Sequence, residues 1–366
     1  MIINLDKAAT TRPNSKVLES IMPYFTDKYY NPSSNYKLAK ECKKAIEDSR
    51  DIVAKYIGAE FKEIIFTASS SESNNAAIQG YVRKHDCNII CSNIEHIDIL
   101  ECVDYLSNEV CYYGVDNKGN FNLEELEYYC SSIPNSLVIA QFVNNEIGVI
   151  EDIKKVCEIA HKYNCVVFCD ATQAITKFDI NVKDLGVDIL SFGGHKIHAL
   201  KCGVLYIKEG IELVPFVFGH QNKLVSGTEN TPAIVSVGEV LKLKCNNEYI
   251  GNLRDYFEEE ILKINGTYIN GDLENRICSM SNVCFSGYDS ETIQMMLDME
   301  DIYCSRGSAC NASSIETSHV LKAIGMESPD IYSCIRFSFD EENTKEEVDY
   351  TVEQIKNILE FMDSMD

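Results

Sequence analysis

The chain has 366 residues, is 45% hydrophobic and carries a formal net charge of −24. That is enough apolar material for a large core and a smaller second domain. The dispersed acidic residues argue against nucleic-acid binding, the longest apolar runs fall far short of a membrane span, and Met1-Ile-Ile-Asn-Leu-Asp6 lacks the basic and apolar regions of a signal peptide.

Asn4 to Thr11 ends in polar residues and is expected to form a loop near a site. After a turn at Asn31-Pro-Ser-Ser34, apolar residues at helical spacing predict a helix from Tyr36 to Ile57, closed by Gly58. Glu63 to Thr67 is a predicted strand, and the small polar turn Ala68 to Asn75 opens a helix running to about Lys84. A strand, a small-residue turn and a helix N-terminus in succession make a ready anion site. The alternation continues. Strands are predicted at Asn88–Cys91, Glu109–Tyr113, Leu137–Val143, Cys165–Cys169 and Val187–Phe192, with helices at Ile97–Leu106, from Leu123 and at Ile153–Tyr163. Such a pattern implies a mostly parallel sheet covered on both faces, with ligands beyond the carboxyl ends of the strands. Pro232 to about Leu262 is predicted as one long helix bridging two domains. Beyond it, strands at Ile277–Phe285, Ile302–Cys304 and Cys334–Phe339 and helices at Glu291–Met299, Ser314–Ile324 and Thr344–Met362 predict a compact α+β unit.

Chemistry concentrates where two apolar runs end. Val187 to Phe192 leads through Gly193-Gly194 to His195 and Lys196, and Cys202 to Lys208 follows as another strand. A lysine fixed at a strand end and partly shielded from water has the lowered ammonium pKa that Schiff-base chemistry requires. Upstream, Cys165-Val-Val-Phe-Cys runs into Asp170-Ala-Thr-Gln173. A lysine and a carboxylate at neighbouring strand ends suit pyridoxal phosphate: the amine holds the aldehyde and the acid keeps the pyridine nitrogen protonated. Ser70, Ser71, His96, Asn145, Asp170, Gln173, His195 and Lys196 all fall at strand ends or in the turns beyond them.

The chain has sixteen cysteines, mostly scattered through apolar runs without paired C-x-x-C sets, as expected of reduced, buried small hydrophobes in a cytosolic protein. Cys310 differs. Ser305-Arg-Gly-Ser-Ala-Cys310-Asn-Ala-Ser-Ser314 surrounds it with small residues, the setting of an accessible nucleophilic thiol on a loop.

Taken in order, Leu5-Asp-Lys-Ala-Ala-Thr-Thr11, Asn31-Pro-Ser-Ser34, Ser71-Glu-Ser-Asn-Asn75, Glu95-His96, Val143-Asn-Asn-Glu-Ile-Gly148, Asp170-Ala-Thr-Gln173, Gly194-His-Lys196, Ser226-Gly-Thr228, Gly307-Ser-Ala-Cys310 and Arg336-Phe-Ser338 resemble the cysteine desulfurases of the class V aminotransferase-like group over nearly the whole chain. The long Cys310 loop resembles the branch serving iron–sulfur assembly. The resemblance implies an α/β protein of PLP-dependent transferase fold type I. Its large domain (12–250) would hold a mostly parallel seven-stranded sheet, and its small α+β domain (1–11 and 251–366) the cysteine loop. It implies conversion of L-cysteine to L-alanine, with the sulfur left as a persulfide on Cys310 for an acceptor protein, and a cytoplasmic homodimer.

Carried onto this sequence, the resemblance implies that Lys196 holds the cofactor aldehyde and moves a proton, and that Asp170 faces the ring nitrogen. Gln173 would face the ring hydroxyl and His96 the ring plane, with an acid–base role. Asn145 would contact substrate or ring oxygen, and Arg336 the substrate carboxylate. Ser70, Ser71, His195 and, from the other subunit, Thr228 would hold the phosphate. No metal ligand is implied. The sequence departs from the family's pattern at Gly193, usually serine, at Val225, usually arginine, and at His198-Ala-Leu-Lys-Cys-Gly203, usually Tyr-Gly-Pro-Lys-Gly. These departures keep other readings open: a degenerate relative acting as a binding or scaffold protein, a selenocysteine lyase, or a sulfur donor dedicated to one biosynthetic pathway.

Overall fold

The computed structural model describes residues 2–220, 222–307 and 317–365. Its strands are β1 (Ile3–Asn4), β2 (Ile64–Thr67), β3 (Ile89–Ser92), β4 (Val110–Tyr113), β5 (Leu137–Gln141), β6 (Val166–Asp170), β7 (Ile189–Gly193), β8 (Gly203–Ile207), β9 (Thr267–Ile269), β10 (Met280–Phe285), β11 (Ile302–Tyr303) and β12 (Cys334–Ser338). Seven of them form one sheet in the order β2-β8-β7-β6-β5-β3-β4. The pairs from β4 through β7 are parallel, and β8 runs antiparallel to both β7 and β2.

Alternation along these strands explains their near-continuous apolar runs. Ile89, Leu137, Ile139, Phe168 and Ile189 join one buried cluster, while their neighbours Ile90, Val138, Val167, Cys169 and Leu190 join another. A strand covered on both faces needs apolar residues at every position. Each fully buried large side chain contributes about 1.5–3 kcal/mol. A third core gathers Ile3 and Leu5 with Ile250, Phe257, Phe285, Ile335, Phe337, Val348 and Ile355. Its sheet has the order β12-β10-β9, and β1 pairs with β11 beside it.

Local chemistry sets the element ends. The helix Lys37–Ile57 stops at Gly58, whose φ of 71° is left-handed. The helix Ser70–His85 starts behind Ser69, whose hydroxyl accepts from the Glu72 N–H at 3.1 Å. Gly203 is required for close approach: a Cβ there would lie 2.0 Å from Thr67 Oγ1 and 2.1 Å from the Ser69 carbonyl. That contact fixes the start of the Ser70 helix against β8.

The expected bridging helix is two helices, Thr231–Val240 and Asn247–Ile261. The Asn246 side chain accepts from the Tyr249 N–H and caps a new start, a polar stop that the apolar spacing alone masks. The N-terminal segment is a loop only in part, since Ile3–Asn4 is a strand. The helices Ser15–Ile21 and Pro23–Thr26 and the strand β9 are too short to leave a periodic signal. Of the helix expected from Ser314, the turns His319–Ala323 are described; Ser314 itself lies outside the described residues. All fifteen cysteines among the described residues are free thiols, most of them buried. Among the described residues no helix is long and apolar enough to cross a membrane, and no cluster of three or more His, Cys, Asp or Glu is arranged to hold a metal ion.

Candidate active site

Asp170 ends β6 and Lys196 ends the short turn Gly194–Lys196 that follows β7. β6 and β7 are adjacent and parallel, with Asp170 opposite Ser191. One cleft of about 130 Å³ beyond these strand ends is lined by Ser70, Ser71, His96, Asn145, Asp170, Gln173, His195, Lys196 and Arg336. The structure therefore brings together nine residues that the sequence nominated from separate elements. Thr228 lines a different cavity of the same chain, beside Lys201 and Val225. Cys310 lies outside the described residues.

Asp170 is buried, and its described hydrogen bonds come from neutral donors, the Thr172 N–H at 2.8 Å and Asn74 Nδ2 at 3.3 Å. Burial raises its pKa above the usual carboxylate range, and the Thr172 bonds only partly offset this. A carboxylate held this way favours a cationic partner in the cleft, such as a protonated pyridine nitrogen. Asp98, near by, behaves differently. Burial alone would raise it, but hydrogen bonds from His96, Ser71 and Asn74 outweigh burial and lower its pKa. His96 Nδ1 lies 2.9 Å from Asp98 Oδ1, which fixes the imidazole at the cleft wall.

The start of the Ser70 helix, at the cleft, suits an anion. Ser70 and Ser71 open the helix Ser70–His85, whose first N–H groups lack intrahelical acceptors. Burial, followed by the Lys196 ammonium, lowers the His195 pKa to about 4, so this ring is neutral at pH 7. Gly193 sits where the related pattern has serine. A Cβ there would meet Ser70 Oγ at 3.1 Å and His195 Nδ1 at 3.4 Å, so Ser70 takes up much of the room a larger residue would need.

Arg336 comes from β12 of the smaller sheet and is 2% exposed. One terminal nitrogen donates to the Asn145 carbonyl and the other to Asp6 Oδ1, both at 2.7 Å, while the buried Nε has no partner among the described residues. The guanidinium is thus locked in orientation, with donor capacity left for a carboxylate. Gln173 Nε2 donates to the Ala8 carbonyl at 3.1 Å, so this amide is engaged with the N-terminal segment. A lysine, a buried acid, an anion-binding helix end and a fixed arginine together fit a phosphorylated pyridine aldehyde with an amino acid beside it.

Sequence reasoning assigned no role to Asn74, Asp98, Thr172 or Asp6. Asn74 stands one helical turn after Ser70, and Asp98 two residues after His96 on the next helix. Helical spacing was the available signal for Asn74. For Asp6, which pairs with a residue 330 positions away, the sequence held none.

The chain matches the aminotransferase class-V family over residues 3–351. It is 37% identical to the cysteine desulfurase IscS of Methanosarcina thermophila over 99% of this chain and 93% of that protein. Among solved structures, a NifS-like protein superposes with a TM-score of 0.91 at 32% identity, covering 99% of this chain and all of that one. SspA in complex with cysteine gives a TM-score of 0.83 at 30% identity over 94% of this chain. With the fold, the strand-end lysine and acid, and a match along nearly its whole length, the chain belongs to the aminotransferase class-V family.

Proposed function

We propose that the protein is a pyridoxal-phosphate-dependent cysteine desulfurase, which converts L-cysteine to L-alanine and leaves the sulfur as a persulfide on Cys310. The observation that carries this reading is the meeting of Asp170, Lys196 and Arg336, from three separate strands or turns, in one cleft. When bound, the cofactor supplies an electron sink for bond breaking next to the substrate's α-carbon. Lys196 Nζ would hold the cofactor aldehyde and serve as the group that moves the proton at the substrate's α-carbon. Asp170 would keep the ring nitrogen protonated, Gln173 would serve the ring hydroxyl, and His96 would support the ring and serve acid–base steps. Ser70, Ser71 and His195 hold the phosphate. Arg336 and Asn145 orient the substrate carboxylate.

The role of Cys310 is supported by the described residues flanking it. Ser305 exchanges backbone hydrogen bonds with Arg336 at 3.2 and 2.7 Å. Gly307 lies against the Glu146 carboxylate, and the Ser318 hydroxyl donates to the same carboxylate at 2.5 Å. His319 Nε2 lies 2.9 Å from the carbonyl of Glu95, the residue before His96. The segment that carries Cys310 therefore leaves and returns at one point, next to Asn145.

The sulfur acceptor is a protein, and an iron–sulfur scaffold is the class the cysteine-loop pattern suggests. A homodimer would let Thr228 of one subunit complete the phosphate site of the other, consistent with its place in a different cavity of its own chain. The division is into a large unit (12–250) and a small one (1–11 and 251–366); the core of Ile3, Leu5, Phe257, Phe285, Ile335 and Val348 favours it, although the largest core also takes in Ala8, Ile277, Met280, Val320 and Cys334. The free thiols favour a reducing, cytosolic setting. The test is incubation of the cofactor-loaded protein with L-cysteine and a thiol reductant. Alanine and sulfide are expected in equal amounts, with a sulfur adduct on Cys310 by mass spectrometry when reductant is omitted. Cys310→Ala should retain the cofactor's colour and lose sulfide release. A protein that stays colourless after cofactor is added, or forms no alanine, overturns the reading. Faster turnover of selenocysteine than of cysteine would assign it as a lyase instead.

A further inference from the structure

Next to the cleft lies a larger cavity, about 350 Å³ against about 130 Å³. Its size falls at the lower end of small-molecule sites, about 300–1,000 Å³. The two cavities share Ala8, Gln173 and Lys196, so the Gln173–Ala8 hydrogen bond is part of the wall between them. None of the roles assigned to the cleft uses the larger space.

Its lining is two-sided. Ile197, Val240, Leu243 and Phe339 give it an apolar surface. Its charges run against those of the whole chain, which has 57 acidic and 33 basic residues. Lysines 7, 16, 177, 196 and 244 line the cavity, against the carboxylates Asp340 and Glu341. Lys7 is neutralised by Asp340 at 2.7 Å and Glu342 at 3.3 Å. Lys16, Lys177 and Lys244 have no side-chain ion pair among the described residues. Lys177 is half-buried, and Lys16 and Lys244 stand exposed at the rim. Three ammonium groups without an ion pair, beside an apolar wall, favour an anion that also carries hydrocarbon.

The frame around the cavity is preformed. The Thr11 hydroxyl donates to the His195 carbonyl at 3.0 Å and accepts from the His198 N–H at 2.7 Å, and the Asn14 N–H donates to the His198 carbonyl at 2.9 Å. His198 has a left-handed φ of 65°, and its Nε2 lies 3.6 Å from Asp340 Oδ2. A cavity held open by such bonds needs little ordering to receive a ligand.

We propose that this cavity is a second ligand site, selective for a small amphipathic organic anion and separated from the active-site cleft by a wall that includes Lys196. Its binding does not depend on the desulfurase reading. The test uses the cofactor-loaded full chain, with octanoate and its neutral counterpart octanamide as probes in calorimetric titrations. Octanoate should bind at least about tenfold more tightly than octanamide. The double variant Lys177→Glu/Lys244→Glu should weaken octanoate about tenfold, the size expected for reversing two partly exposed charges, and leave octanamide unchanged. Leu243→Trp, which fills the cavity from its rim, should weaken both. Unchanged melting temperature and cofactor absorbance will show that both variants are folded. Failure of octanoate to bind the parent protein, equal binding of octanamide, or octanoate binding unaffected by either variant overturns the site. Cysteine turnover measured on the same samples separates that outcome from failure of the proposed activity.

Discussion

Asn74 Nδ2 donates to Oδ2 of Asp170 at 3.3 Å. The same amide donates to Asp98 Oδ1 at 3.3 Å, and its oxygen accepts the Ser191 hydroxyl at 2.6 Å. One buried side chain on the Ser70 helix thus connects the acid at the end of β6, the strand that leads to Lys196, and the carboxylate that holds His96.

Replacing Asn74 with Leu should therefore harm the site more than its distance from the reacting atoms suggests. Buried Asp170 and half-buried Asp98 each lose a donor, at about 1–3 kcal/mol for a buried group left unsatisfied. The expected result is a lower melting temperature and weaker cofactor binding, read by titrating the visible absorbance of the apo protein. Ser191→Ala removes one donor to Asn74 and should have a smaller effect in the same direction. Unchanged cofactor affinity in Asn74→Leu would show that Asp170 does not depend on this contact.

Arg336 offers a separate handle on the substrate. In Arg336→Lys the charge remains but the fixed fork is lost. Charge-assisted hydrogen bonds are worth about 1.5–3 kcal/mol, so KM for cysteine should rise about 10- to 100-fold with a smaller fall in kcat. Asp6→Asn keeps the shape of the partner and should raise KM less. A loss confined to kcat would mean that the arginine acts on the reaction and not on substrate binding.

Buried Glu95 and half-buried His195 give the stability profile opposite slopes. Burial raises Glu95 to about 8, above its ordinary 4.5, so its contribution is full below pH 4.5 and is lost as pH rises through 8. Burial and Lys196 lower His195 to about 4, below its ordinary 6.5, so its contribution is present above pH 6.5 and is lost as pH falls through 4. Between pH 4.5 and 6.5 the slopes oppose each other, and from 6.5 to 8 that of Glu95 remains. Glu95→Gln should flatten the decline in melting temperature between pH 6.5 and 8, and have little effect near pH 4. A parallel decline in parent and variant would exclude a protonated Glu95.

Gly193 gives a test of the phosphate end. Gly193→Ser restores the residue of the related pattern, yet its Cβ would lie 3.1 Å from Ser70 Oγ. Alone, it should weaken cofactor binding or leave it unchanged. Combined with Ser70→Ala, which removes the crowding hydroxyl, it should bind the cofactor more tightly than the single variant. Tighter binding by Gly193→Ser alone would show that Ser70 moves aside freely.

The strands that carry Asp170 and Lys196 were legible because they are buried on both faces and end abruptly in polar residues. The helix after Ser69 was legible from its small-residue cap. Clustering of the cleft residues followed from the α/β alternation, since ligands collect beyond strand ends. What stayed hidden was pairing across long separations: Asp6 with Arg336, Gln173 with Ala8, and Asn74 between two acids. No local pattern encodes such contacts. The break between the helices Thr231–Val240 and Asn247–Ile261 escaped because an asparagine cap in a run of charged residues looks like ordinary helix surface.

β1 pairs in parallel with β11, and the residues that follow it meet the cleft at Arg336, Gln173 and the turn of His195. Asp6 clamps Arg336, Ala8 and Ala9 line the cleft, and Thr11 ties down the turn holding Lys196. The opening strand therefore acts as a seam, stitching the substrate-facing sheet to the cofactor-facing one. A shortened version that kept both sheets intact but trimmed this edge would leave two sound halves and an unassembled centre.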